Sequence, residues 1–246
     1  MIDLHAHYLP EMDDGAKNAA ESLEMLKNSF SQGVSVCVAT PHSVIHCEED
    51  IEEFIKKRAS SYQRLIDAAT PENCKVPKLI LGTELYLDHN INQYHGIEKL
   101  CIEKTNALLM EFPIERGLPK YAEEWIYTLN CKGIVPIIAH IDRYPFWEKM
   151  LKEFQELRVN YQINASRFLT LQGRSLIRKI MKYDNRYIIS SDMHNTDTRK
   201  CYMQPAYEKA VKMYKNKANE LFESNANSIL ERQKALFEQG DYNYGR

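Results

Sequence analysis

Nine residues of this chain carry imidazole or carboxylate groups that could gather around divalent metal ions: His5, His7, Asp14, His42, Glu84, Glu111, His140, Asp192 and His194. Such mixed donors suit manganese, iron or zinc better than calcium or magnesium, and no cysteine belongs to the set. His5 and His7 stand two apart behind Ile2 and Leu4. At strand spacing, residues i and i+2 leave on one face, so the two imidazoles converge. A lone His-x-His is more often a pair of surface or capping histidines. Recurrence separates the two readings, because the same donor types close nearly every later apolar run. Nine such groups, buried without partners, would be costly, and a metal cluster satisfies them together. Their number exceeds the three or four protein ligands of a single zinc-like site and suits two or three ions, with a carboxylate bridging a pair. Four carboxylates against three divalent ions leave a cationic pocket that attracts a phosphate dianion. Arg143 and Arg199 follow His140 and His194 closely enough to add bidentate phosphate clamps.

Seven apolar runs can position these side chains: residues 2–7, 34–40, 78–84, 107–111, 134–140, 159–165 and 187–192. Helix signals lie between them. Asn18 and Glu21 form a capping box, Leu23, Leu26 and Phe30 recur at helical spacing, and Gly33 closes the segment. A long helix spans about residues 49–69, another runs over 121–132 and stops at Gly133, and the tail from Pro205 reads as two or three helices. Strands alternating with helices imply a parallel sheet. Seven strands within one domain length favour a closed or nearly closed barrel, with the active site at the carboxyl ends of the strands. Six of the seven deliver His, Glu or Asp at that end.

Composition narrows the partners. A formal net charge of -2 gives no electrostatic case for nucleic acid or an anionic membrane. No basic-then-apolar leader opens the chain, and no apolar run could span a bilayer, so a cytoplasmic location is expected. The six cysteines are scattered without a C-x-x-C, which fits free thiols in a reducing compartment. No linker or repeat splits the chain, so residues 1–246 are expected to form one domain. His46, His89 and His95 read as surface residues, Trp125 and Trp147 as packing, and Tyr242 and Tyr244 as exposed.

The motifs Ile2-Asp3-Leu4-His5-Ala6-His7-Tyr8-Leu9-Pro10, Asp13-Asp14-Gly15-Ala16, Ala39-Thr40-Pro41-His42 and Gly82-Thr83-Glu84 continue with Glu111-Phe112-Pro113, Ala139-His140 with Arg143-Tyr144, Gln162-Ile163-Asn164-Ala165 and Ser191-Asp192-Met193-His194-Asn195. In this order they resemble the PHP (polymerase and histidinol phosphatase) superfamily, and within it the bacterial capsule-locus protein-tyrosine phosphatases. The resemblance implies a distorted (β/α)7 TIM-like barrel with a trinuclear centre, often manganese. It assigns His5, His7, Glu84 and Asp192 to one ion. Glu84, Glu111 and His140 go to a second, and Asp14, His42 and His194 to a third. It also implies that Arg143 and Arg199 bind the phosphoryl group, and that the substrate is the tyrosine-rich tail of a polysaccharide-export tyrosine kinase. Two positions depart from the family pattern: His-Pro-Glu-Arg reads His140-Ile141-Asp142-Arg143, and the glycine after Leu-Pro is Glu11.

The chemistry expected is metal-assisted phosphomonoester hydrolysis, with a metal-activated water as nucleophile and the arginines neutralising the phosphoryl oxygens. Asp14 or a metal-bound water would protonate the leaving phenolate. The Cys-x5-Arg loop of thiol-dependent tyrosine phosphatases is absent. Tyr8, Tyr144 and Phe146 are expected near the pocket. The rivals are a phosphatase for a small ester such as histidinol phosphate, and a non-catalytic metal-containing module that docks a kinase tail. Turnover of an aryl phosphate separates enzyme from module.

Overall fold

The computed structural model describes residues 1–69, 75–183 and 185–231, so Tyr242, Tyr244 and Cys74 lie outside the described residues. In chain order the strands are β1 (Ile2–Ala6), β2 (Val36–Ala39), β3 (His42–Ser43), β4 (Lys78–Leu81), β5 (Glu84–Tyr86), β6 (Ala107–Glu111), β7 (Val135–Ile138), β8 (Asn160–Asn164) and β9 (Arg186–Ser190). All pairs are parallel, in the orders β1-β2-β4 and β3-β5-β6-β7-β8-β9. The third expected strand is broken in two at Gly82-Thr83, and the second stops before Pro41 as expected but is followed by the extra strand β3. Proline has no N–H to give a ladder. Gly82 has no room for a side chain, since a Cβ there would meet Val38 Cγ1 at 2.8 Å. Backbone bonds carry each line across its break: Gly82 N–H donates to Ala39 O at 2.8 Å and Glu84 N–H to Pro41 O at 3.0 Å. Counting β2 with β3 and β4 with β5 leaves seven strand positions. The first and last meet through an Ala6–Met193 bridge, with Asp192 N–H donating to His5 O and His7 N–H to Met193 O.

The helices cover the outside: α1 (Ala19–Ser31), α2 (Glu48–Ala69), α3 (Ala122–Cys131), α4 (Trp147–Glu153) and α5 (Leu171–Ile180). Between β5 and β6 the described connection has only a 3-10 turn over Ile97–Leu100, which makes the β/α alternation irregular. After β9 come α6 (Met203–Tyr214), α7 (Lys217–Asn219), a π turn and α8 (Asn225–Glu231), so the tail helices begin two residues before Pro205. Asn18 caps α1 as expected, accepting from Glu21 N–H at 2.9 Å, but Glu21 reaches back to Lys17 N–H rather than to the cap residue. Gly33 and Gly133 follow α1 and α3 at φ of 80° each. No described helix is long and apolar enough to cross a membrane.

Strand alternation divides the core in two. Leu4, Val38, Leu109, Ile137 and Ile188 fill the barrel interior, closed off by Ala226 and Ile229 of α8. Their neighbours Cys37, Leu108, Met110, Ile138 and Ile189 face the helices. Continuing inward by twos from Val38, Leu109 and Ile188 toward the upper end of the barrel leads to His42, to Glu111 and, beyond the end of β9 and through a left-handed backbone at φ 53°, to Asp192, and Ile80 leads in the same way to Glu84. Two strands cannot reach it by alternation alone. Leu4 is interior, so His5 belongs on the outer face; the register shift between Asp3 and Ala6 turns it in. Likewise Ala139 is interior, and His140 is brought round by a left-handed backbone at φ 32°.

Candidate metal centre

All nine expected donors converge at the carboxyl ends of the strands. Glu84 lies at the middle. Its Oε2 is 3.0 Å from His5 Nε2, 3.3 Å from His7 Nε2 and 3.1 Å from His42 Nδ1, and its Oε1 is 3.1 Å from His140 Nε2. Glu111 reaches His140 Nε2 at 3.2 Å and His42 Nδ1 at 3.4 Å. Asp192 Oδ1 stands 3.5 Å from His5 Nε2, and Asp14 Oδ1 stands 3.3 Å from His194 Nε2 and 3.5 Å from His42 Nε2. Three sets bring one donor atom per residue within 4.8 Å of one another: His5/His7/Glu84, His42/Glu84/Glu111, and His7/Asp14/His42/His194. His7 thus faces two of the sets, and His42 stands beside Glu84 as well as Asp14.

The donor chemistry fits cations. Nε2 of His5 and Nε2 of His7 face each other at 3.3 Å. Their Nδ1 atoms are engaged from behind, donating to Gln162 Oε1 at 3.0 Å and to Asp13 Oδ2 at 2.6 Å, which aims both Nε2 lone pairs into the cluster. Glu84 Oε2 and His194 Nε2 are buried without a hydrogen-bond partner. Groups so placed are costly unless something else satisfies them, and divalent ions do. Without ions the cluster balances itself with protons. Burial pushes the His7 imidazole down, yet Asp13 and Glu84 outweigh it and hold it up at about 10. Glu111 and Glu84 likewise hold His140 at about 9 against burial. Burial and the neighbouring His7 push His194 down to about 2. Burial works against ionising Glu84, but His5 and His140 keep its carboxyl well below the usual range. Ions and protons therefore compete for these atoms, and metal affinity falls on acidification.

Several residues that hold the donors stood in the sequence motifs without being assigned a role in the site. Asp13 is almost buried while Asp14 is exposed, and besides His7 it accepts from His42 N–H and Gly15 N–H, each at 2.9 Å. Strand β8 contributes no donor, yet its inward residues brace three other strands. Gln162 Oε1 accepts from His140 N–H at 2.6 Å as well as from His5, its Nε2 donates to Asn164 Oδ1, and Asn164 Nδ2 donates to Asp192 Oδ2. The available signal was a strand with polar side chains at alternate, buried positions. Replacing Gln162 by Leu removes the acceptor of a buried backbone N–H and unlocks the His5 tautomer. We expect metal affinity to fall about 10- to 100-fold and stability by roughly 1–3 kcal/mol. Metal titration and thermal melting measure both, and unchanged affinity would show that β8 only packs.

The departures from the family pattern have physical consequences. Glu11 sits at φ 58°, a left-handed position where glycine is unstrained, and it is held by Arg64 Nη1 at 2.5 Å. Asp142 is buried and accepts from Asn164 N–H at 2.8 Å. Arg199 donates to Asp192 Oδ1 at 2.9 Å and lies 3.4 Å from Asp14 Oδ2, whereas Arg143 lies 3.9 Å from Asp192 Oδ2. Both arginines line a cavity of about 480 Å³ beside the cluster. Of the aromatic residues expected near the pocket, Tyr144 is buried behind the donors, its ring 5.6 Å from that of His140 and 5.1 Å from that of Phe146, with its hydroxyl accepting from Phe112 N–H. Tyr8 is fully buried against Ser29 and serves the core. His46 and His95 are exposed, and half-buried His89 stacks on His46 and pairs with Asp88.

A parallel β/α barrel with imidazoles and carboxylates clustered at its strand ends defines the class of metal-dependent barrel proteins. Within it, the chain belongs to the capsular polysaccharide synthesis CpsB/CapC family, whose model matches residues 1–231. It is 30% identical over 243 residues to the tyrosine-protein phosphatase CpsB of Streptococcus agalactiae, covering 94% of this chain and 98% of that one. It is 28% identical to the tyrosine-protein phosphatase YwqE of Bacillus subtilis, covering 97% and 94%. Among solved structures, one from a study of YwqE from Bacillus subtilis and CpsB from Streptococcus pneumoniae, described as metal-dependent tyrosine phosphatases, matches at TM-score 0.77 and 27% identity over 95% of both chains. A phosphotriesterase homology protein from Escherichia coli shares the fold at TM-score 0.56 and 9% identity, over 94% of this chain and 98% of that one.

Proposed function

We propose that this chain is a metal-dependent protein-tyrosine phosphatase acting in the cytoplasm on the tyrosine-rich tail of a polysaccharide-export tyrosine kinase. The observation that carries the reading is the pair Arg143 and Arg199 lining a cavity directly beside nine convergent donors, in a chain whose relatives are named tyrosine phosphatases. His5, His7, Asp14, His42, Glu84, Glu111, His140, Asp192 and His194 would hold two to three divalent ions, manganese first, with iron or zinc as alternatives. Bound there, such ions supply a water activated near neutral pH and neutralise charge developing on phosphorus. The chain's own groups do the rest. Arg143 and Arg199 bind and orient the phosphoryl oxygens, Gln162 and Asp13 fix the imidazoles, and the departing phenolate oxygen takes its proton from water at the exposed mouth, or from Asp14 where that carboxylate is protonated and not holding an ion. The described residues act as one domain.

Among the described residues, no cysteine lines the cavity that holds Arg143 and Arg199. Cys37, Cys101 and Cys201 are buried, and burial pushes the last two up to about 12, far from the reactive thiolate range. Steady-state kinetics on a phosphotyrosine peptide, a phosphoserine peptide and histidinol phosphate test the substrate class. The phosphotyrosine peptide should show the highest kcat/KM. An advantage for histidinol phosphate would replace the proposed substrate with a small ester, and no turnover of any of them would leave a binding module.

A further inference from the structure

The cavity beside the donor cluster contains a third guanidinium. Arg167 lines it together with Arg143 and Arg199. It leaves the 3-10 turn over Ala165–Leu169 that follows β8. Its Nε donates to Asp142 Oδ2 at 2.6 Å and its Nη2 to Asp142 O at 3.3 Å. The Asp142 side chain is wholly buried and its other oxygen is tied to Asn164 N–H, so the anchor is rigid. The outer edge of Arg167 is open: the side chain is 40% exposed, and Nη1 has no hydrogen-bond partner among the described residues. A planar head clamped on one edge and free on the other is preorganised for an incoming anion.

Arg167 also differs from its two neighbours. Arg199 contacts Asp14 and Asp192, and Arg143 faces Asp192, whereas Arg167 pairs with none of the nine donors. Among the described residues, Asp192 is the one acidic residue lining the cavity, and it is already engaged by Arg199, Asn164 and His5. At about 480 Å³ the cavity is in the range of sites that take whole ligands, well beyond one phosphoryl group. On its lip, Leu171 follows the lining residue Thr170 and is 77% exposed, an apolar surface for a bound chain to cover. Beyond Arg199 a smaller cavity of about 100 Å³ adds Lys200 and Tyr202.

We propose that Arg167 forms a second anion subsite, which reads a negatively charged group flanking the phosphotyrosine of the substrate chain. That group is an aspartate or glutamate carboxylate or the phosphate of a second phosphotyrosine. The proposal rests on the phosphotyrosine reading above. Arg143 and Arg199 take the reacting phosphoryl group, and Arg167 holds its neighbour, so flanking charge acts on KM more than on kcat.

The test uses peptides with one phosphotyrosine whose neighbouring positions carry, in turn, asparagine, aspartate or a second phosphotyrosine. Each is assayed with the metal-loaded wild-type protein, Arg167→Gln, Arg167→Lys and Arg167→Glu. The wild type should prefer an anionic flank at one or more positions by roughly three- to tenfold in kcat/KM, the worth of one charge-assisted contact at a half-exposed site. The aspartate and phosphotyrosine arms show which anion supplies it. Arg167→Gln should lose the preference, Arg167→Lys should keep part of it, and Arg167→Glu should turn it into discrimination. Each preference is a ratio within one enzyme, so a general loss of fold or metal cancels. A wild type indifferent to flanking charge, or a preference that survives intact in Arg167→Gln, overturns the proposal. Failure of the phosphotyrosine reading gives a different result, a wild type that hydrolyses none of the peptides, and would take the subsite with it.

Discussion

Glu84→Gln should release more than one metal ion and lower kcat by roughly 10³-fold or more, beyond the loss from a single oxyanion donor. The side chain is fully buried, and one carboxylate oxygen lies within 3.3 Å of imidazole nitrogens from His5, His7 and His42 while the other faces His140. Glu84 belongs to two of the three compact donor sets, so its carboxylate would serve ions held in either set. Glutamine keeps its volume and avoids a cavity, but it loses the charge and presents an N–H₂ where a second donor oxygen is needed. The fold should survive, because the ladder bond from Glu84 N–H to Pro41 O belongs to the backbone. Elemental analysis, melting and turnover on one preparation check this. Full metal content in Glu84→Gln would remove Glu84 from the centre.

Arg199→Ala should keep its metal and its fold yet lose about 10²- to 10³-fold in kcat, the cost of removing a preorganised donor to developing charge. The loop that carries His194 is built from Arg199's backbone, not its side chain. Arg199 O accepts from His194 N–H at 2.9 Å, and Arg199 N–H donates to Asn195 Oδ1 at 3.0 Å. Both bonds survive truncation. Arg199→Lys should fall nearly as far, because an ammonium cannot reproduce a planar fork on two oxygens. Arg143→Ala should act more on KM, since Arg143 is held only loosely, at 3.9 Å from Asp192. Turnover near wild type in Arg199→Ala would mean that the metal ions alone carry the phosphoryl charge.

The donors were legible because chemistry and position coincide. His42, Glu84, Glu111 and Asp192 follow interior apolar residues by steps of two, so a pattern of period two points straight at them. His5 and His140 do not obey that pattern. They were legible only as strand-end histidines, and the devices that turn them inward, a register shift and a left-handed residue, leave little trace in sequence. The stop at Pro41 is local, since proline gives no ladder N–H, but the break at Gly82 depends on how tightly a neighbouring strand packs, which no local window contains. Asp13, Gln162, Asn164 and Asp142 were quoted in motifs or as a departure, but their bracing roles were not legible: the bonds of Gln162, Asn164 and Asp142 join residues far apart in the chain, and nothing local tells buried Asp13 from exposed Asp14. Tyr8 stands next to His7 but turns into the core against Ser29, because adjacent residues along a strand end face opposite ways, whereas Tyr144 packs directly behind His140.

The central claim is that metal ions held by these nine residues carry the hydrolysis of phosphotyrosine. Its most direct test is elemental analysis coupled to phosphotyrosine-peptide turnover on one sample, as purified, after chelation, and after divalent metal is returned. The expected result is two to three ions per chain, activity that disappears with them, and activity that returns with them. Metal-free protein that hydrolyses the peptide at the full rate would contradict the account.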